Sequence, residues 1–273
     1  TTTPPMKLKP IELNGRVRLR DRDAQPPRGV PADEELKART DRLVERLDEL
    51  QSALFAEHER ALLVVFQARD AGGKDGVIRK VFGPLNSSGV SVASFNAPTE
   101  DELDHDYLWR IHAAAPRRGT IGIFNRSHYE DVLVVRVNEL VPPKVWKKRF
   151  EQINQFERML AESGTTIVKF FLHVSREEQK QRFLERLDDP TKNWKFNPGD
   201  LEARNRWDEY DQAYAEAISR CSTPWAPWYV VPADSKKVRD YLVARVVVDT
   251  LRRMKPRFPA PDPELLAWRD KIV

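Results

Sequence analysis

The 273 residues contain one cysteine, Cys221. A lone thiol excludes an internal disulfide framework and any zinc centre built from several thiolates, and its expected place is a small buried or half-buried position. Long apolar runs are also missing. None approaches the ~20 residues that a membrane-spanning helix needs, and the opening stretch TTTPPMKLKP lacks the apolar centre of a secretory leader. The expectation is a protein of the reducing cytoplasm with no membrane contact. A large charge excess is absent too: 46 Lys plus Arg stand against 42 Asp plus Glu, a formal net charge of +4. That balance does not suit a chain devoted to nucleic acid. The five histidines have no metal-ligand spacing, since His105 and His112 lie seven apart on one predicted helix and His58, His128 and His173 stand alone. Ser127 has no G-x-S-x-G context, which argues against a hydrolase nucleophile. No internal repeat or low-complexity segment occurs.

What is present is an ordinary globular composition, 40% hydrophobic and 32% charged, in a chain with room for one large or two small domains. The basic surplus is local. Residues 137–187 carry 10 basic and 7 acidic side chains, whereas 1–60 carry 12 of each, 61–136 carry 9 of each and 188–273 carry 15 and 14. A local basic groove for a small or linear polyanion fits this pattern better than a whole-surface field. Half of the 20 prolines lie at the ends, six before residue 32 and four between Pro256 and Pro263. Extended arms over residues 1–36 and 256–273, lying on a core of residues 37–255, follow from the donors and helices that proline removes.

Apolar runs predict strands at 62–67, 90–95, 120–125, 166–174 and 228–231, several of them apolar on successive residues, as strands covered on both faces require. Helical patterns alternate with them at 35–58, 74–81, 100–113, 127–137, 144–162, 175–187, 200–219 and 235–253. Thr99 with Glu102, Ser127 with Glu130 and Ser175 with Glu178 read as capping boxes. Start signals placed directly after strands or short loops imply repeated βα units and a mostly parallel α/β sheet.

The first of those strands runs into Ala68-Arg69-Asp70-Ala71-Gly72-Gly73-Lys74-Asp75-Gly76 and then a helix. Glycines let backbone N–H groups approach phosphate oxygens, the helix N-terminus adds its dipole, and a lysine adds a point charge. This is the layout of a P-loop. The match to G-x-x-x-x-G-K-S/T is imperfect, with Ala68 in place of the first glycine and Asp75 in place of the metal-binding hydroxyl. Asp70 is the candidate metal ligand in place of that hydroxyl. The plainer readings are a tight turn at Gly72-Gly73 and an Asx-turn or helix cap at Asp70.

At the end of the third strand stand Asn125, Arg126 and Glu130. Asn125 occupies the place where P-loop enzymes carry a metal-organising carboxylate, and Arg126 would clamp a migrating phosphoryl group; its alternative is an ion pair with Glu130. Between residues 176 and 206, Arg182 and Arg186 lie four apart on one helix face, and a basic, aromatic connector with Trp194, Lys195 and Phe196 leads to a second helix. Two helices joined in this way read as a mobile lid. Its plainer reading is a solvated face with Glu178 pairing Arg182.

The runs at 70–76, 107–110 (Tyr-Leu-Trp-Arg), 124–132 (Phe-Asn-Arg-Ser-His-Tyr-Glu-Asp-Val) and 189–196 (Asp-Pro-Thr-Lys-Asn-Trp-Lys-Phe) resemble the polyphosphate kinase 2 family, over roughly residues 37–255. Asn125 in place of aspartate is similar to the class III members, which phosphorylate both AMP and ADP. The resemblance implies a thymidylate-kinase-like P-loop kinase fold, three-layered α/β/α with a parallel sheet and helical lid. It implies transfer of the terminal phosphoryl group of inorganic polyphosphate to an adenine or guanine nucleotide, with Mg²⁺, or Mn²⁺ as its alternative. The Walker A pair falls on Asp70 and Lys74, the Walker B pair on Asn125 and Arg126, and the lid arginine on Arg182 or Arg186. With Asn125 neutral, Glu130 is the candidate second metal carboxylate. Ala71, Gly72, Gly73, Lys74 and Asp75 would hold phosphates, joined by Arg79, Lys80, Arg117, Arg118, Arg182, Arg186 and Lys195.

No strong general base is demanded, because the acceptor phosphate is already a nucleophile. A homo-oligomer, dimer or tetramer, is expected, and the stripe Leu43, Leu47, Leu50, Leu54 packs either on the core or on a partner helix. Trp194, Phe196 or Tyr210 would stack a purine, unless they belong to the core. The competing functions are an ADP-only polyphosphate kinase, an ATP-dependent nucleotide kinase of the same fold, and a non-catalytic phosphate-binding protein on a degenerate P-loop.

Overall fold

The computed structural model describes residues 6–266 and 268–272. Five strands, β1 (Ala61–Ala68), β2 (Val90–Ser94), β3 (Ile121–Asn125), β4 (Thr165–His173) and β5 (Trp228–Pro232), form one parallel sheet in the order β2-β3-β1-β4-β5. β1 is buried along its whole length, β3 and β4 nearly so, as their unbroken apolar runs require. Edge strand β2, with two serines, is mostly exposed.

The helices are α1 (Asp33–Glu57), α2 (Lys74–Phe82), α3 (Glu100–Leu103), α4 (Trp109–Ala113), α5 (Val134–Val137), α6 (Pro143–Glu162), α7 (Arg176–Asp188), α8 (Gly199–Asn205), α9 (Trp207–Cys221), α10 (Lys236–Met254) and α11 (Pro263–Leu266). Alternate strand residues feed opposite faces. Leu62, Val64, Phe66, Phe170 and Leu172 pack under α1, α2 and α10, while Leu63, Val65, Phe124, Ile167 and Phe171 pack under α4, α6 and α9. The result is the three-layer α/β/α arrangement. The leucine stripe of α1 goes to this core: Leu47, Leu50 and Leu54 are buried in it and Leu43 packs against it.

Three predicted helices are shorter or broken. The capping box of Thr99 and Glu102 forms with both of its bonds, but its helix stops at Leu103. Asp106 then caps the amide of Leu108 through its own side chain at 2.9 Å and starts α4 separately. Ser127 accepts from the amide of Tyr129, not Glu130, so 128–132 winds as a 3₁₀ turn before α5. Residues 200–219 divide at Arg206, whose backbone leaves the helical region between α8 and α9. Residues 6–32 are almost free of regular structure and bond along the β5 side, with Ile11 donating to the Trp228 carbonyl at 2.8 Å and Asp234 donating to that of Ala24 at 3.1 Å.

From β1 the chain leaves toward β2 at one edge, and from β3 it crosses to β4 on the other side of β1. Neighbouring strands whose connections diverge leave a crevice at their carboxyl ends, where ligands of open α/β sheets bind.

One part of the interior is ionic. Lys169 of β4 and Glu157 of α6 are fully buried and meet at 2.5 Å; Lys169 also donates to the Tyr129 hydroxyl and the Cys221 carbonyl, each at 2.7 Å. His128 and Tyr129 bond Glu157 at 3.1 and 2.9 Å. Cys221 itself is a free, buried thiol, pushed up to about 12 by burial. Lys169→Met leaves the Glu157 carboxylate buried without its cation. That variant is expected to lose about 3–5 kcal/mol of stability, and adding Glu157→Gln to recover most of it, as read by urea unfolding.

Candidate active site

Strand β1 ends at Ala68, and 69–73 turn the chain into α2. The turn needs left-handed backbone twice, at Ala71 (φ 58°) and Gly73 (φ 94°). At Gly72 space decides, because a Cβ would lie 2.6 Å from that of Ala68 and 2.8 Å from the Arg69 carbonyl. On the neighbouring strand, Arg126 is also left-handed, at φ 63°. Strained non-glycine residues persist only where the surroundings over-determine them. Here the determinants are visible: Arg126 donates its amide to the Phe66 carbonyl at 3.0 Å, and Gln67 of β1 donates to the Ser127 hydroxyl at 3.1 Å.

The two strand ends meet across the crevice. Arg126 Nη2 lies 3.2 Å from Asp70 Oδ1, and Asn125 Nδ2 donates to Asp75 Oδ1 at 2.7 Å. Lys74 folds back to the Ala68 carbonyl at 3.2 Å. Burial, with Arg126 beside it, pushes the Lys74 ammonium below the usual lysine range, against the pull of Asp70, Glu130 and Asp75. Glu130 is pushed up by burial, opposed by Arg126 and Lys74. The sequence suggested an Arg126–Glu130 ion pair within one helix; instead, Arg126 bonds Asp70 directly and Glu130 acts on it at longer range.

A groove of about 800 Å³ lies over the loop. Lys74, Arg79, Arg126, Arg186 and Lys195 line it, together with Asp70, Asp75 and Asp200. Burial and the Asp70 charge push the Asp200 carboxyl up to about 6. Trp194 and Phe196 also line the groove; Trp194 is 76% exposed, while Phe196 packs edge-on to Phe183 of α7. Tyr210 is buried by a second, inner cavity with Tyr214 and Glu130.

Four expectations about site residues change. Arg117 and Arg118 precede β3 and sit at the amino ends of the strands, with the Arg117 carbonyl capping Thr120, so they are at the far edge of the sheet from the groove. Lys80 points away to Asp41 of α1, at 2.8 Å. Glu130 lines the inner cavity beside Asp70 and Arg126, and does not reach the groove; there it acts as a charge partner of Lys74 and Arg126. Arg182 is 5% exposed and spends its guanidinium on protein: Nε to Glu178 at 2.7 Å, Nη1 to the Ala71 carbonyl at 2.9 Å, and Nη2 to those of Ala233 and Asp234 at 2.6 and 3.2 Å. It braces the loop, whereas Arg186 faces the groove.

Other contributors come from outside the motifs. Gln179 donates to the Asp70 carbonyl at 2.9 Å, and Arg69 binds Asp211 at 2.5 Å with its guanidinium 3.9 Å above the Trp207 ring. Gln179, Arg182 and Arg186 recur at helical spacing along α7, a signal legible in the sequence.

Among the described residues, no three His, Cys, Asp or Glu side chains converge as a metal cage. A hard divalent cation that keeps its waters and takes phosphate oxygens needs only one or two carboxylates, and Asp70, exposed to the groove, fits that requirement. Arg182→Ala, which removes contacts to three backbone carbonyls, is expected to lower stability by about 2–4 kcal/mol. Arg186→Ala is expected to stay within about 0.5 kcal/mol, and the two thermal unfolding curves test the contrast.

Comparison with known proteins agrees with this geometry. Residues 31–259 match the family model "Polyphosphate kinase 2 (PPK2)". The AMP/ADP-polyphosphate phosphotransferase of Meiothermus ruber is 58% identical over 217 residues, 80% of this chain and 81% of that one. The ADP-polyphosphate phosphotransferase of Rhodopseudomonas palustris is 46% identical over 246 residues, 84% of this chain and 85% of that one. A crystal structure of Polyphosphate Kinase 2 from Arthrobacter aurescens TC1 superposes with a TM-score of 0.86 at 38% identity, covering 97% of this chain and 98% of that one. With its parallel sheet, its phosphate loop and a family match spanning most of its length, the chain belongs to the polyphosphate kinase 2 family.

Proposed function

We propose that this protein transfers the terminal phosphoryl group of inorganic polyphosphate to AMP and ADP, giving ADP and ATP, with Mg²⁺ as the cation and Mn²⁺ as its alternative. The observation that carries the reading is the groove: five cationic side chains line about 800 Å³ directly over the phosphate loop. That space suits a chain of phosphates running past the reacting one, beyond what a single phosphate needs. The relation at 58% identity to a protein named for both AMP and ADP favours the two acceptors over ADP alone.

Catalysis is then mainly positioning and charge neutralisation in an in-line displacement. Backbone amides of 71–75 and the start of α2 hold phosphate oxygens, and Lys74 adds its charge. Arg126, held by its turn at the end of β3, faces the migrating group; Arg186 and Lys195 would meet it from the lid side. Asp70 would hold the divalent cation, which would supply positive charge to offset that of the phosphates. Guanine nucleotides as further acceptors, and an assembly of two or four copies checked by light scattering, belong to the same reading.

The test is a coupled assay with polyphosphate, Mg²⁺ and AMP, ADP, GMP or GDP. ADP and ATP are expected as products; no nucleotide product, with clean transfer from ATP to another acceptor, would replace the donor. Lys74→Met and Asp70→Asn are each expected to lower kcat/KM by ~10³ or more, on the scale of lost phosphoryl clamps. Retained phosphate binding without any turnover in the wild type would instead mark a non-catalytic protein.

A further inference from the structure

One buried cation near the loop has no part in the mechanism above. Arg239 of α10 is 3% exposed and does not line the groove. Its Nε and Nη2 donate to Asp240 Oδ1 at 2.9 and 2.7 Å. Its other nitrogen is directed at the phosphate loop: a Cβ on Gly73 would stand 2.0 Å from Nη1, and one on Gly76 would stand 3.3 Å from Nη2. The same Gly73 Cβ would lie 3.6 Å from Nη1 of Arg182.

Two buried guanidinium groups therefore press on the 71–76 backbone. Each has a single carboxylate, Asp240 for Arg239 and Glu178 for Arg182. Burial, and Arg182 with it, holds the Arg239 pKa below the usual arginine range against the pull of Asp240. The more distant Lys80 of α2 adds a weaker pull on Asp240. Like charges packed this closely in a poorly solvated layer repel. An anion on the other side of the loop attracts both groups and offsets that repulsion, and the absence of a side chain at Gly73 and Gly76 keeps the distance short.

We propose that Arg239 is a positioning residue of the phosphate site, which shapes the Gly73–Gly76 turn and lends its charge through that glycine backbone to phosphate bound in the groove. The proposal rests on the groove taking a polyphosphate, and it predicts a role for the donor phosphate alone. A merely structural Arg239 would matter through its fork to Asp240, whereas an electrostatic one would matter through its charge. Conservative replacement separates the two.

The experiment is calorimetric binding of inorganic tripolyphosphate to the full chain, beside steady-state KM values for polyphosphate and nucleotide. Arg239→Met is expected to weaken tripolyphosphate binding about tenfold, the scale of one interaction of about 1.4 kcal/mol, and to leave the nucleotide KM unchanged. Arg239→Lys, which keeps the charge, is expected to recover most of the loss. Asp240→Asn, which removes the counter-charge and keeps Arg239, is expected to tighten binding about threefold. Unchanged binding in Arg239→Met, or a lysine variant as weak as the methionine one, overturns the proposal. Should Arg239→Met not fold, unchanged binding in Asp240→Asn overturns it by itself. A wild type that binds no tripolyphosphate fails the polyphosphate reading and this inference with it; a wild type that binds, with variants that do not differ, fails this inference alone.

Discussion

The site depends on one guanidinium. Arg182 reaches from α7 to the carbonyls of Ala71, Ala233 and Asp234, and so joins the phosphate loop, the β5–α10 connection and α7 at a single buried point. Left to itself, a loop with Ala71 in left-handed backbone would relax. The brace ties the Ala71 carbonyl to those of Ala233 and Asp234 through one guanidinium and so opposes that relaxation. The geometry presented to phosphate therefore results from tertiary structure, and the glycines alone do not produce it.

The opposite wall is held by comparable means. The Arg126 turn hangs from Phe66 by its amide and is backed by the Ser127–Gln67 contact, and behind it lies the network of His128, Tyr129, Glu157 and Lys169. Buried ion pairs are weak evidence for stability, because desolvation opposes their attraction. What this one does is geometric: two consecutive side chains of the turn are bonded on the core side while Arg126 projects on the other. A rigid backing of that kind suits a reaction in which positioning supplies most of the rate.

All five strands were legible in the sequence, four of them because strands covered on both faces must be apolar almost without interruption, and the exposed edge strand β2 by its alternating valines. Helix extent was less legible. The capping box at Thr99 was real, but Asp106 competes for the backbone two residues on, and no apolar stripe over 100–113 was strong enough to override it. At the site, Asp70, Lys74, Asn125 and Arg126 were legible because they lie at the carboxyl ends of neighbouring strands, where sequence order translates directly into position. Arg117 and Arg118 were assigned to the wrong end, although their place before β3 already put them at its amino end. Arg239 and Gln179 reach the loop from elements more than 100 residues downstream. Nothing local in the chain marks Arg239, whereas Gln179 is marked by its helical spacing with Arg182 and Arg186.

The arm at residues 6–32 has a further consequence. Its anchors are Trp228, Ser219, His173 and Asp234, all more than 150 positions later in the chain. During ribosomal synthesis, the segment cannot complete its docking until β5 exists, so part of it stays extended and proline-stiffened while the sheet assembles. Its closure over the β5 border therefore cannot precede the synthesis of β5. By occupying a backbone acceptor at Trp228, it also covers part of a strand edge through which two newly made sheets would otherwise aggregate.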